Sequence, residues 1–139
     1  MKILLPVDGS RFSKRMLAYI AAHDEWLGAH HQYTVLTVVP YLPPTEALLA
    51  GMDAIRQRYD EEARQVMSPV RAFFDKQGLK AEFVERVGDA ADAIVKLAGR
   101  GFDLVVMGSH GHRAVPGLAL GSVSAQVIAR TKVPVLLVR

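Results

Sequence analysis

A chain of 139 residues, 50% hydrophobic and 22% charged, carries apolar surface for one buried core and is far from the composition of a disordered segment. Cysteine is absent, which excludes a disulfide framework, a thiolate metal site and a cysteine nucleophile and fits a reducing compartment. The net charge is +3, but Arg56, Arg58, Arg64 and Arg71 are interleaved with Asp60, Glu61, Glu62 and Asp75, the pattern of a solvated helix face and not of a nucleic-acid patch.

Ile3 to Val7 is a continuous apolar run without in/out alternation, the mark of a strand buried on both faces of a parallel sheet. Its extension Met1 to Asp8 is too short for a secretory signal, and the longest uncharged stretch, Gln32 to Thr45, holds Pro40, Pro43 and Pro44 and is too broken to span a bilayer. A cytoplasmic protein without membrane contact is expected. Phe12, Met16, Tyr19, Ile20, His23 and Leu27 recur at spacings of three and four and predict a helix capped by Ser10 or Ser13 and stopped by Gly28. His30 and His31 read as a surface turn with diverging side chains. Tyr33 to Val39 is a second buried strand. Pro40 to Met52 fits no element; its length and prolines suggest a mobile cover.

Ile55, Tyr59, Ala63, Val66, Val70 and Phe74 form the next helical stripe, with Gly78 beyond it. Ala81 to Val87 carries Glu82, Glu85 and Arg86 and suits an edge strand. Asp89 opens a helix through Ala91, Ile94, Val95 and Ala98, ended by Gly99. Leu104 to Met107 is a buried strand, Ser122 to Arg130 a short helix, and Val133 to Val138 the last strand. The order βαβαβαβαβ implies one domain, an open, doubly wound five-stranded parallel sheet with helices on both faces.

Such sheets bind ligands beyond the carboxyl ends of their strands, where strand order reverses. Three strand ends therefore matter: Asp8-Gly9-Ser10, Val38-Val39-Pro40 and the segment from Met107 to Gly111. In the last, Gly108 and Gly111 are followed after nine residues by Gly121 and Ser122, which open a helix. Glycines let backbone N–H groups approach an anion, and a helix N-terminus supplies unpaired donors and partial positive charge. The spacing fits a phosphate site; plain turn and cap residues are the alternative. Asp8 at the first strand end is either a ligand contact or a cap of the first helix. His110 and His112 have no third ligand nearby and read as turn residues or phosphate contacts.

The pattern Gly-x-x-Gly-x9-Gly-Ser after an apolar strand resembles the nucleotide-binding signature of the universal stress protein family, ATP-binding type. Residues 3–10 (Ile-Leu-Leu-Pro-Val-Asp-Gly-Ser), the segment around Gly88, residues 103–111 and the Val-Pro-Val-Leu-Leu-Val run 133–138 are similar to family sequences as well. The resemblance implies strand order 3-2-1-4-5 and a homodimer through the C-terminal strand Val133 to Val138. It implies ATP, or another adenine nucleotide, with Mg²⁺ held through the phosphates and not directly by the protein. Pro6, Val7, Asp8, Val38, Met107, Gly108, Gly111, Arg113, Gly121, Ser122 and Val123 form the implied site. Val7 and Met107 would line the adenine and ribose pocket, the Val38 backbone would pair with the adenine edge, and Asp8 would contact the ribose or phosphate end. Gly108, Gly111, Gly121, Ser122 and Val123 would cradle the phosphates. The chain departs from the family pattern in the loop His112 to Leu120, where Arg113 is the one basic residue besides histidine.

No P-loop, Gly-x-Gly-x-x-Gly after the first strand or nucleophile elbow is present, so no catalytic residue is assigned. A stress-response protein binding ATP as a regulatory or signalling dimer is the expected function. The alternatives are a slow ATPase or self-phosphorylating enzyme, with Asp8 the sole candidate carboxylate, and a dimeric interaction protein without bound nucleotide.

Overall fold

The computed structural model describes all residues, Met1 to Arg139. Strand β1 (Lys2–Pro6) is followed by α1 (Arg11–Ala22), the single turn α2 (Asp24–Leu27), β2 (Gln32–Val39), α3 (Pro44–Ala50) and α4 (Met52–Gln77). The second half contains β3 (Ala81–Val87), α5 (Ala90–Ala98), β4 (Leu104–Gly108), α6 (Ser122–Arg130) and β5 (Val135–Val138). All four strand pairs are parallel, in the order β3-β2-β1-β4-β5. The expected fold class and strand order are both present.

The continuous apolar strands are explained by two cores. Ile3, Leu5, Val35 and Val106 face one side and pack with Met16 and Ile20 of α1 and with Met67, Val70 and Phe74 of α4. Leu4, Leu36, Val105 and Met107 face the other and pack with Ile94 of α5 and Val127 of α6. Alternate strand residues point to opposite faces, and helices cover both, so no position in β1 beyond Lys2 tolerates a polar side chain. Leu4 and Leu5 are each 0% exposed. On β3, Glu82, Glu85 and Arg86 are exposed, as expected of an edge.

Four expectations change. The first predicted helix is interrupted at His23, which has non-helical dihedrals (φ −126°, ψ 48°). Its Nδ1–H donates to the Tyr19 carbonyl at 2.8 Å, the acceptor that its backbone amide would take in a continuing helix. The segment Pro40 to Met52 is not a plain connection, because it contains α3. Pro43 and Pro44 suit a helix start, yet Leu48 and Leu49 are 85% and 89% exposed, so no buried stripe reveals the helix in the sequence. Strand β5 begins at Val135 and not Val133, since Pro134 has no amide to donate; its carbonyl still accepts from Val105 N. The rings of His30 and His31 also lie 3.8 Å apart between centroids and do not diverge.

Tyr33, 3% exposed, donates its phenol to the carbonyls of Leu27 (2.5 Å) and Gly28 (3.1 Å), tying the α2 turn to β2. Burial pushes this phenol up to about 12, against 10.0 for an exposed tyrosine. The folded state therefore holds the proton more tightly than the unfolded chain. The resulting stability is complete below pH ~10 and declines as pH rises through ~12. Between pH 9 and pH 11.5 the wild type should lose about 2 kcal/mol more stability than Tyr33→Phe. Urea unfolding of both proteins at the two pH values measures it; equal losses would refute the buried-phenol account.

Candidate functional site

The β1 end turns into α1 through a compact hydrogen-bonded turn. Ser10 takes the N-cap position, accepting from Ser13 N at 3.4 Å. Asp8 does not cap the helix. Its Oδ1 accepts from Ser10 N and from the Ser13 hydroxyl, both at 2.9 Å, while its own N–H donates to Ser13 Oγ at 3.0 Å. Its Oδ2 makes no hydrogen bond within the chain and faces the loop that follows β4.

That loop lies close against the β1 end and α1, with room for glycine at its tightest points. A Cβ on Gly111 would stand 2.6 Å from Asp8 Oδ2, and one on Gly108 would stand 2.8 Å from Phe12 Cβ on α1. A Cβ on Gly121 would meet the His110 Cα at 3.0 Å. These glycines serve close packing of the loop, and none of the three has positive φ. Gly121 N donates to the Ser109 carbonyl (2.8 Å), which also accepts from the Ser124 hydroxyl (2.6 Å). His110 Nε2–H donates to the Leu118 carbonyl at 2.9 Å, leaving Nδ1 to accept from Ser109 Oγ at 2.9 Å. His112 Nε2–H donates to the Asp8 carbonyl at 2.5 Å.

A cavity of about 430 Å³ lies between this loop and the carboxyl ends of the strands. Pro6, Val7 and Asp8 from the β1 end, Val38 from β2, and Met107 and Gly108 from β4 line it. Gly111 and Arg113 from the loop, and Gly121, Ser122 and Val123 at the start of α6, complete that wall. Every residue expected at the site thus reaches one cavity. Pro40 at the end of β2 and His110 and His112 from the loop, the latter two read as turn residues or phosphate contacts, border it as well, and a second wall, Gly88, Asp89, Ala90 and Ile94, was not expected. Its signal in the sequence is the Gly88-Asp89 step at the end of β3, a fourth strand end followed by a helix start. Of the segment Pro40 to Met52, Pro40 alone borders the cavity.

The α6 N-terminus is the electropositive feature of the site. Gly121 is its N-cap and supplies no side-chain acceptor. The N–H groups of Ser122, Val123 and Ser124 have no acceptor within the chain. With Arg113 beside them, they form a place for an anion. Phosphate oxygens satisfy such donors, and the apolar side chains of Val7, Val38, Met107 and Ile94 suit a flat heterocycle. No three His, Cys, Asp or Glu side chains converge as a metal site.

A family model described as "Universal stress protein family" matches residues 1–139. A universal stress protein of Thermus aquaticus is 36% identical over 140 residues, covering 99% of this chain and 97% of that protein. Universal stress protein Slr1230 of Synechocystis is 30% identical over 139 residues, which cover 99% of this chain and 42% of the longer protein. The chain spans about half the length, or less, of two of the curated relatives it matches. The solved structure of MJ0577 superposes with a TM-score of 0.81 at 28% identity, covering 99% of this chain and 94% of that one. The same fold occurs in a universal stress protein in complex with cAMP (TM-score 0.68, 22% identity, 100% and 97% covered). It occurs too in an Arabidopsis thaliana family protein with AMP bound (TM-score 0.70, 18% identity, 99% and 90% covered).

The Asp8 bonds carry a stability prediction that is independent of any ligand. Asp8→Ala strips the acceptor from Ser10 N and Ser13 Oγ and should cost about 1–2 kcal/mol. Asp8→Asn keeps a carbonyl oxygen in place and should cost less than half of that. Chemical denaturation of the three proteins decides; an alanine variant as stable as the wild type would show that Asp8 does not brace the turn.

Proposed function

The chain belongs to the universal stress protein family, and from that premise we propose that it binds an adenine nucleotide, ATP with Mg²⁺ in the fullest form, as a cytoplasmic stress-response protein acting as a regulatory or signalling dimer. The observation that carries the reading is the uncapped α6 N-terminus opening on the cavity. The free N–H groups of Ser122, Val123 and Ser124 would hold phosphate oxygens, with Arg113 adding charge. Val7 and Met107 would pack on the base and ribose, Pro6 would close the floor at the β1 end, and the end of β2 at Val38 would offer backbone groups to the base edge. Asp8 Oδ2, without a partner in the chain, would accept from a ribose hydroxyl, and Mg²⁺ would be carried by the phosphates. AMP and cAMP in two proteins of the same fold support an adenine nucleotide as the ligand class.

Slow ATP hydrolysis is the second reading, and the free Asp8 Oδ2 is the observation that favours it, since a carboxylate beside phosphates can orient a water. Labelled phosphate released by the wild type but not by Asp8→Asn would support hydrolysis.

The nucleotide reading is best tested on the backbone donor itself. Gly121 precedes Ser122 with φ −72° and ψ 165°, a conformation that accepts a following proline, and proline fits the first helical position. Ser122→Pro removes one free N–H and the hydroxyl, whereas Ser122→Ala removes the hydroxyl alone. Calorimetry with ATP and Mg²⁺ should show about tenfold weaker binding for the proline variant than for the alanine variant, with melting temperatures alike. Equal affinities would overturn the assignment of phosphate to this helix end.

The dimer reading rests on β5. Pro134 O accepts from Val105 N of β4 and Val138 O from Ser109 N just beyond it, so by the strand period the N–H and C=O of Val135 and Leu137 point to the open edge. No charge interrupts Val135–Val138, and a two-fold partner strand would pair this edge and close the assembly. Val135→Pro removes one outward donor at the first strand position, where proline is tolerated. Light scattering should give two chains for the wild type at micromolar concentration and one for the variant; a monomeric wild type refutes the dimer.

A further inference from the structure

We propose that Asp89 fixes the base end of the ligand by accepting a hydrogen bond from an exocyclic amine, making the site one for aminopurine nucleotides. The inference rests on the adenine-nucleotide reading above and adds a side-chain acceptor to the backbone contact proposed at Val38, since an exocyclic amine carries two hydrogens.

Two helices, α5 and α6, begin at the cavity wall, at Ala90 and Ser122. Both would present positive helix ends, yet their caps differ. At α6 the cap is Gly121, with no side chain to occupy the free N–H groups. At α5 the cap is Asp89, whose Oδ2 accepts from Asp92 N at 2.9 Å. A carboxylate there offsets the partial positive charge of α5. The two ends of the cavity therefore differ in sign: α6 attracts an anion, and the Asp89 end attracts a hydrogen-bond donor.

The topology sets the distance between them. Gly88 N donates to the Val39 carbonyl at 2.9 Å, which ties the end of β3 to the end of β2 beside Val38 and Pro40. The strand order β3-β2-β1-β4 separates the end of β3 from the end of β4, where Gly121 N meets the Ser109 carbonyl, by three strand spacings, or about 14 Å. That is the reach of a nucleotide from phosphate to the far edge of its base. Asp89 is solvent-exposed at the rim, and its Oδ1 makes no hydrogen bond within the chain. An ionised carboxylate only accepts. The 6-amino group of adenine donates; a purine without an exocyclic group offers nothing at that edge.

The test compares AMP with purine riboside 5′-monophosphate, which lacks the amine, on the wild type, Asp89→Asn and Asp89→Ser. Asparagine and serine both serve as N-caps, so α5 should be retained, and circular dichroism checks it. Calorimetry should give AMP about a tenfold advantage on the wild type, the size of one charge-assisted hydrogen bond. The advantage should shrink in Asp89→Asn and approach one in Asp89→Ser, whose side chain is too short to reach. Wild-type binding of both nucleotides with equal affinity, or a ratio unchanged in both variants, overturns the role of Asp89 while the nucleotide reading stands. Absence of binding of either nucleotide to the wild type overturns both.

Discussion

The Asp8 carboxylate bonds in one direction and yields space in the other, and the arrangement of the whole ligand face follows from that division. Oδ1 holds Ser10 N and the Ser13 hydroxyl, which sets the direction in which α1 leaves β1. Oδ2 approaches the loop after β4 so closely that a side chain at Gly111 would displace the Asp8 carboxylate. His112 reaches back to the Asp8 carbonyl from the same loop. The loop is thus fastened to the central strand, and its far end delivers α6 to the cavity with its first amides free.

The crevice itself is a consequence of how two helical layers leave the sheet. Helices α1 and α4 cover one face, α5 and α6 the other. Strand β1 is the position where connections turn from one side of the sheet to the other, so the helix starts diverge above it and leave a gap. Such a gap needs no special sequence to form; its chemistry depends on how the helix starts around it are capped. Gly121 leaves α6 without a side-chain acceptor, whereas Asp89 places a carboxylate on α5 and takes its Asp92 amide, and the same backbone dipole gives two different environments in one cavity.

The two sheet edges show a comparable contrast. At β3, Glu82, Glu85 and Arg86 are exposed and Arg71 lies over the Phe83 ring at 4.1 Å, so the edge is charged and partly covered. At β5 the residues are apolar throughout, and both faces of the strand pack into cores through Leu136 and Leu137. A charge placed on either side chain would enter a core, which is why the outward backbone groups, and not the side chains, distinguish this edge.

Much was legible in the sequence for a plain reason: burial on both faces demands unbroken apolar strands, and burial on one side demands apolar residues every three or four positions in helices. Those demands identified all five strands, the parallel sheet and the packed parts of α1, α4, α5 and α6, and the glycine spacing after β4 located one wall of the cavity. Helix α3 was invisible because it buries nothing, and the break at His23 was hidden because a side chain there competes locally for a backbone carbonyl. The glycines of the loop were recognisable by spacing, but their physical requirement came from partners far along the chain, Phe12 for Gly108 and Asp8 for Gly111. The second wall at Gly88 and Asp89 likewise depends on β3 lying beside β2. Periodicity records whether a residue is buried; only the tertiary structure decides which distant residue it is buried against, because that distance is set by strand order and not by separation along the chain.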